Sequence, residues 1–170
     1  GISNGYDSSP TLTDCTFTGN SAGGYGGGMS NNYPGSNPTL THCTISGNSA
    51  GYWGGGLFCA ESSPTLFHCT IVGNSNRGVL CSDNSSPTLT NCIVWDNTGE
   101  SIAKNNKTSN PIVSYSCVEG TDVWPGAGNI NTDPQFCGWD AGEVWVDASR
   151  PGPGSGTLAD PYSSLSSALS

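Results

Sequence analysis

A Pro-Thr-Leu triplet recurs at Pro10, Pro38, Pro64 and Pro87, and Pro111-Ile112-Val113 continues the series, giving periods of 28, 26, 23 and 24 residues. Cys15, Cys43, Cys69 and Cys92 keep the same beat. Self-similarity at a period of about 20–50 residues is the mark of a stacked-repeat architecture, in which each unit buries its apolar face only against its neighbours. The full unit reads Ser-Pro-Thr-Leu-Thr-x-Cys-Thr-Ile-x-Gly-Asn, then a variable loop and Gly-Gly-Gly-hydrophobic.

One unit contains three short strands. Leu40 and Thr41 end the first, and Cys43 to Ser46 form the second. Side chains alternate along a strand, so Leu40 and Cys43, three residues apart, would face opposite sides of a continuous one. A bend at His42 returns both to the inside. Asp14, His68 and Asn91 hold the equivalent position, and Asn, Asp and His are the side chains that best tolerate positive φ. Gly19-Asn20, Gly47-Asn48, Gly73-Asn74 and Asp96-Asn97 mark a second turn. Met29, Leu57 and Val79 then open a third strand. Stacked coils place Leu12, Leu40, Leu66, Leu89 and Val113 in one inward ladder and Phe17, Ile45, Ile71 and Val94 in another. The fold class predicted is all-β, a parallel β-helix solenoid of about five coils. A leucine-rich horseshoe is excluded, because Leu-x-x-Leu-x-Leu and a helical half-repeat are missing.

Ser-Pro-Thr-Leu-Thr-Asn-Cys, with Gly-Asn-Ser-Ala and Gly-Gly-Gly, resembles the right-handed parallel β-helix repeat proteins of bacterial surfaces, which are related in fold to pectate lyases. The resemblance covers about residues 1 to 118, and residues 128–136 resemble the segment after the last coil in that family. It implies a non-catalytic surface repeat.

Composition narrows the partners. Only 10% of residues are charged and the formal charge is -9 with four basic residues, which argues against nucleic acid and against anionic membrane surfaces. There is no apolar run of membrane-spanning length and no signal-peptide pattern, so no membrane insertion is expected. Eight Cys point to an oxidising, extracellular or cell-surface setting. The Cys15–Cys92 series reads as a stack of largely free, inward thiols, whereas Cys59, Cys81, Cys117 and Cys137 are the disulfide candidates.

The C-terminal stretch breaks the repeat. Residues 1–118 read as coils, 119–143 as an irregular segment, and 144–170 as a strand containing Val144 and Val146, a Pro/Gly loop, and a short helix that starts at Asp160-Pro161 with Tyr162, Leu165 and Leu169 on one face. This tail resembles the strand and capping helix that begin such modules. Gly1 falls inside a repeat, since Gly1-Ile2-Ser3-Asn4 matches Gly28-Met29-Ser30-Asn31. The expectation is a fragment or one unit of a longer array, whose partners are copies of itself or adjacent modules and whose tail caps the next unit.

Candidate chemistry is sparse. His42 and His68 raise a metal pair, but their repeat partners Asp14 and Asn91 favour a turn role, and no cofactor or metal is implied. Gly1-Ile2-Ser3-Asn4-Gly5 matches a nucleophile elbow without the strand-to-helix turn or the partner His it needs. Asn131-Thr132-Asp133 matches part of a polygalacturonase motif, yet paired carboxylates and the companion motifs are missing, and Arg77 and Arg150 lie near no acidic calcium cluster, so a polysaccharide lyase or hydrolase is the lesser reading. Tyr25, Tyr33, Tyr52 and Trp53 are expected on one loop edge, where exposed aromatics stack on sugar rings; this makes a glycan-binding or adhesive module the alternative function. Thr rows such as Thr11-x-Thr13 face outward in the manner of ice-binding solenoids, although Thr is also simply a good strand residue. Asn84 and Asn106 begin N-glycosylation sequons.

Overall fold

Residues 1–136 are described by the computed structural model. The chain runs through β1 (Ile2–Asn4), β2 (Thr11–Thr13), β3 (Thr16–Thr18) and a two-residue β4 (Ser21–Ala22), then repeats the cycle. The second set is β5 (Met29–Asn31), β6 (Thr39–Thr41), β7 (Thr44–Ser46) and β8 (Ser49–Ala50). The third is β9 (Leu57–Ala60), β10 (Thr65–Phe67) and β11 (Thr70–Val72), and the fourth β12 (Val79–Ser82), β13 (Thr88–Thr90) and β14 (Ile93–Trp95). Last come β15 (Ile102–Lys104), β16 (Ile112–Ser114) and β17 (Cys117–Val118). They pair in parallel into three sheets, β1-β5-β9-β12-β15, β2-β6-β10-β13-β16 and β3-β7-β11-β14-β17, with β4 beside β8. The described chain is thus an all-β parallel solenoid that makes about four turns between the first and last rung of each sheet.

The register is the one set by the repeat: Leu12, Leu40, Leu66, Leu89 and Val113 stack, as do Phe17, Ile45, Ile71 and Val94. The bend residues Asp14, His42, His68 and Asn91 lie at φ 53, 52, 52 and 53, so each carries the left-handed kink that lets Leu and Cys share the interior. The second turn uses Gly19, Gly47, Gly73 and Asp96 at φ 63, 60, 62 and 51. The apolar core runs along the axis through Met29, Leu57, Val79 and Ile102 of the first sheet and the two ladders of the others. Outside it, Phe58, Ala60, Leu80 and Ala103 form a second buried cluster, because β9 and β12 are buried on both faces.

A ladder of asparagines was not anticipated. Asn20, Asn48, Asn74 and Asn97, read from sequence as turn residues, point inward; the Asn48 and Asn74 amides donate to the Oδ1 of Asn74 and Asn97 at 3.0 and 2.9 Å. The backbone N–H of each also donates to the next Oδ1. The ladder supplies partners to backbone groups that the turn removes from the sheets, where an unmade bond is costly. The glycines before the third strand are there because a Cβ on Gly55 would meet the Ser75 carbonyl oxygen of the adjacent coil.

Residues 119–132 close the C-terminal end of the stack. Trp124 packs against the core, Ile130 exchanges backbone bonds with Ser116 and Val118, and Asn129 Oδ1 accepts from the Ser116 N–H at 3.0 Å. Gly1–Thr132 is one unit. Of the second unit, residues 133–136 are described, an irregular stretch in which the Gln135 N–H donates to Asp133 Oδ1 at 2.7 Å. Cys137 and the tail residues Val144, Val146, Tyr162, Leu165 and Leu169 lie outside the described residues.

Candidate functional site

The strands bring almost no charge to the surface. Among their residues only Lys104 is ionisable at neutral pH, so charged groups are confined to bends and loops. Any recognition must therefore be built at the corners, at the stack end, or on uncharged sheet faces.

At the corner leading into the first sheet, Tyr25 stacks on Phe58 with ring centroids 4.7 Å apart, and Tyr52 and Trp53 lie 5.7 and 5.9 Å from it. Tyr52 is 64% exposed and Tyr25 40%, so the cluster reaches solvent. Tyr33 does not join them. It leaves β5 at the opposite end and pairs with Tyr6 at 4.2 Å. The expectation of four aromatics on one edge is corrected to three, because a strand separates Tyr25 from Tyr33.

At the stack end, Glu100, Ser101, Glu119, Asp122, Val123 and Trp124 line a cleft of about 650 Å³. Glu119 is already engaged: its Oε2 accepts from the Asp96 N–H at 2.8 Å and from the Ser101 hydroxyl at 3.5 Å. Glu100 pairs with Arg77 at 3.6 Å. Trp124 and Val123 were not singled out by sequence reasoning, since they follow the repeat and carry no periodic signal.

The bend between the second and third sheets stacks Asp14, His42, His68 and Asn91. His42 Nδ1 lies 3.6 Å from Asp14 Oδ1, His42 Nε2 lies 3.0 Å from His68 Nδ1, and His68 Nε2 lies 3.0 Å from the Asn91 amide. No group of three or more His, Cys, Asp or Glu is placed to hold a metal ion among the described residues.

The cysteines behave differently from one part of the expectation. Cys43, Cys69 and Cys92 are buried free thiols, and each donates to the carbonyl oxygen two residues earlier, at 3.4 Å in all three. Cys15 is a half-buried thiol at the first rung. Cys59 and Cys81, two of the four disulfide candidates, are register partners yet both are free thiols. Side chains on register-matched parallel strands point the same way, and a disulfide needs its two Cβ–S bonds turned about 90° to one another. Burial pushes the Cys81 thiol up to about 12 and Cys59 well above its ordinary range. Cys117 donates its thiol to the Thr132 carbonyl at 3.2 Å. No disulfide joins two described cysteines.

Of the sequons, Asn84 is exposed, whereas Asn106 is half-buried with its amide donating to Asp83 Oδ1 at 3.2 Å and its Oδ1 accepting from Thr108 at 2.9 Å.

The family model described as right handed beta helix region matches residues 1–134. The chain belongs to this β-helix family. No curated protein and no solved structure matches the chain. Membership of the right-handed β-helix family agrees with the parallel sheets and leaves the chemistry open.

Proposed function

We propose that this β-helix is a non-catalytic structural repeat of an extracellular or cell-surface protein, built to stack end to end. The observation that carries the reading is the register of the ladders: Leu12, Leu40, Leu66, Leu89 and Val113 stack rung on rung through parallel strands. A stack held by such nearest-neighbour rungs is extended by any further coil of the same pattern. The sequence pattern of residues 144–170, with Val144 and Val146 and then Tyr162, Leu165 and Leu169 at helical spacing, is what this reading assigns as the cap of an adjacent module or of a second copy. Contacts of this kind that do not close generate filaments. Electron microscopy and light scattering on the purified chain test the reading: concentration-dependent linear oligomers that vanish when Leu165 and Leu169 are replaced by Asp support it, and a monodisperse monomer at all concentrations refutes it.

The convergence of Tyr25, Tyr52 and Trp53 favours a second reading, a carbohydrate-binding or adhesive module. Three partly exposed rings, with Tyr52 and Trp53 each within 6 Å of Tyr25, offer a platform for a pyranose face. A glycan array read with wild type and a Tyr52→Ala/Trp53→Ala double variant decides it: a signal absent from both excludes the module. Polysaccharide cleavage is the least supported reading, because Glu119 and Glu100 in the end cleft are held by other groups.

A further inference from the structure

His42 and His68 sit one coil apart on adjacent rungs, and their kinked backbones turn both rings to the same outer corner. The rings are nearly parallel, 22° apart, and the facing nitrogens, His42 Nε2 and His68 Nδ1, are separated by 3.0 Å. With metal–nitrogen bonds of about 2.0–2.1 Å, two imidazoles at a right angle on one ion have nitrogens about 2.8–3.0 Å apart, and at the tetrahedral angle about 3.3–3.4 Å. The observed separation is short enough for both nitrogens to reach one ion of the imidazole-binding divalent class, which includes Ni(II) and Cu(II). We propose that His42 and His68 form a two-nitrogen site for such an ion, bound through His42 Nε2 and His68 Nδ1, with water on the remaining positions.

The column also places a polar side chain behind each ligand, Asp14 Oδ1 3.6 Å from His42 Nδ1 and the Asn91 amide 3.0 Å from His68 Nε2. With the Asn91 amide N–H donating to His68 Nε2, the tautomers that satisfy the column put His68 Nδ1–H toward His42 Nε2 and His42 Nδ1–H toward the Asp14 carboxylate. Binding moves one proton within His68, from Nδ1 to Nε2, and turns the Asn91 amide so that its oxygen accepts it. His42 keeps its Nδ1–H toward Asp14. Two coordinate bonds form, two water ligands leave the ion, and no proton is released. The rings turn about χ2, a broad torsion in histidine, from their direct N···N contact until both lone pairs converge on the ion, with the His68 ring stacked on Phe67 at 3.9 Å. The site opens to solvent, since the His42 and Asp14 side chains are 55% and 77% exposed. A bound ion ties together two coils separated by 26 residues in sequence.

Nickel(II) is the probe, because it does not oxidise thiols. The variants are His42→Asn, His68→Asn and the double change. Asn91 already occupies the equivalent position at φ 53, so asparagine keeps the bend. Calorimetry on the intact chain is expected to give one Ni(II) site in wild type that is lost in each variant, with a thermal midpoint raised by Ni(II) in wild type alone. Asp14→Asn, which leaves both ligands, weakens the site by about tenfold or more. In proton NMR both histidine rings broaden together as Ni(II) is added to wild type. Equal Ni(II) affinity in wild type and the double variant overturns the proposal, as does broadening of one ring alone or of neither.

Discussion

Asn74 shows how much a single side chain carries in a solenoid. Its Oδ1 accepts from both the backbone N–H and the amide of Asn48, and its Nδ2 lies within hydrogen-bond distance of Asn97 Oδ1 and the Ile45 carbonyl. The side chain is fully buried, so its removal strands two donors away from water. Each buried unmet group costs about 1–3 kcal/mol, and Asn74→Ala is expected to destabilise the fold by about 3–5 kcal/mol. Asn20→Ala, at the half-exposed first rung, is expected to cost under about 1.5 kcal/mol. Urea midpoints of the two variants check this, and equal losses would contradict the ladder. A clue to its inward orientation was available in sequence. The preceding position varies between Gly and Asp, as a turn residue does, whereas Asn never varies from Asn20 to Asn97. Turn chemistry explains Asn equally well, and side-chain direction at a bend is not fixed by periodicity, so the two roles separate only in three dimensions.

At the scale of the strand, β9 and β12 place Cys59 and Cys81 as register partners in the core. Cys81 ionises only at about 12 when folded, against an ordinary value of 9.0, and burial is the first cause. The folded state therefore holds this proton more tightly than the unfolded chain. The resulting stability is fully present below pH 9 and is lost as pH rises toward 12. The span corresponds to a loss of about 4 kcal/mol from this one thiol. Urea unfolding at a series of pH values is expected to show stability falling through that window, and Cys81→Ala is expected to flatten the slope. An unchanged slope in the variant would assign the alkaline loss to other groups. The strands themselves were legible because Leu, Cys and Ile recur at fixed offsets and only one bend reconciles them. The second apolar cluster at Phe58 and Leu80 was not, since strands buried on both faces lose the alternation from which direction is read.

For the whole molecule, stability is a sum of coils and of the interfaces between neighbours. Thr39 and Thr65 are register partners 26 residues apart, so removing residues 39–64 takes out one complete coil and leaves every ladder in register. The shortened chain is expected to fold with the same circular dichroism per residue and a lower melting point. Removing residues 39–51, half a coil, is expected to prevent folding. Cooperative melting of the half-coil deletion would argue against a register-locked stack. The same logic makes the ends the weakest parts, and hydrogen exchange should be fastest in β1 to β3 and slowest in β10 and β11.

The sequence by itself determined the architecture, because a period near 25 residues with Leu and Cys on opposite sides of an Asp, His or Asn admits one way of keeping both inside. It also determined the left-handed bends and the order of the ladders. What only the tertiary structure decided is which groups meet across coils: the inward asparagine ladder, three aromatics rather than four at one corner, free thiols at Cys59 and Cys81, and two histidine nitrogens 3.0 Å apart. The physical reason is that stacking fixes which residues are neighbours, while the rotation of each side chain about its own bonds fixes what those neighbours do.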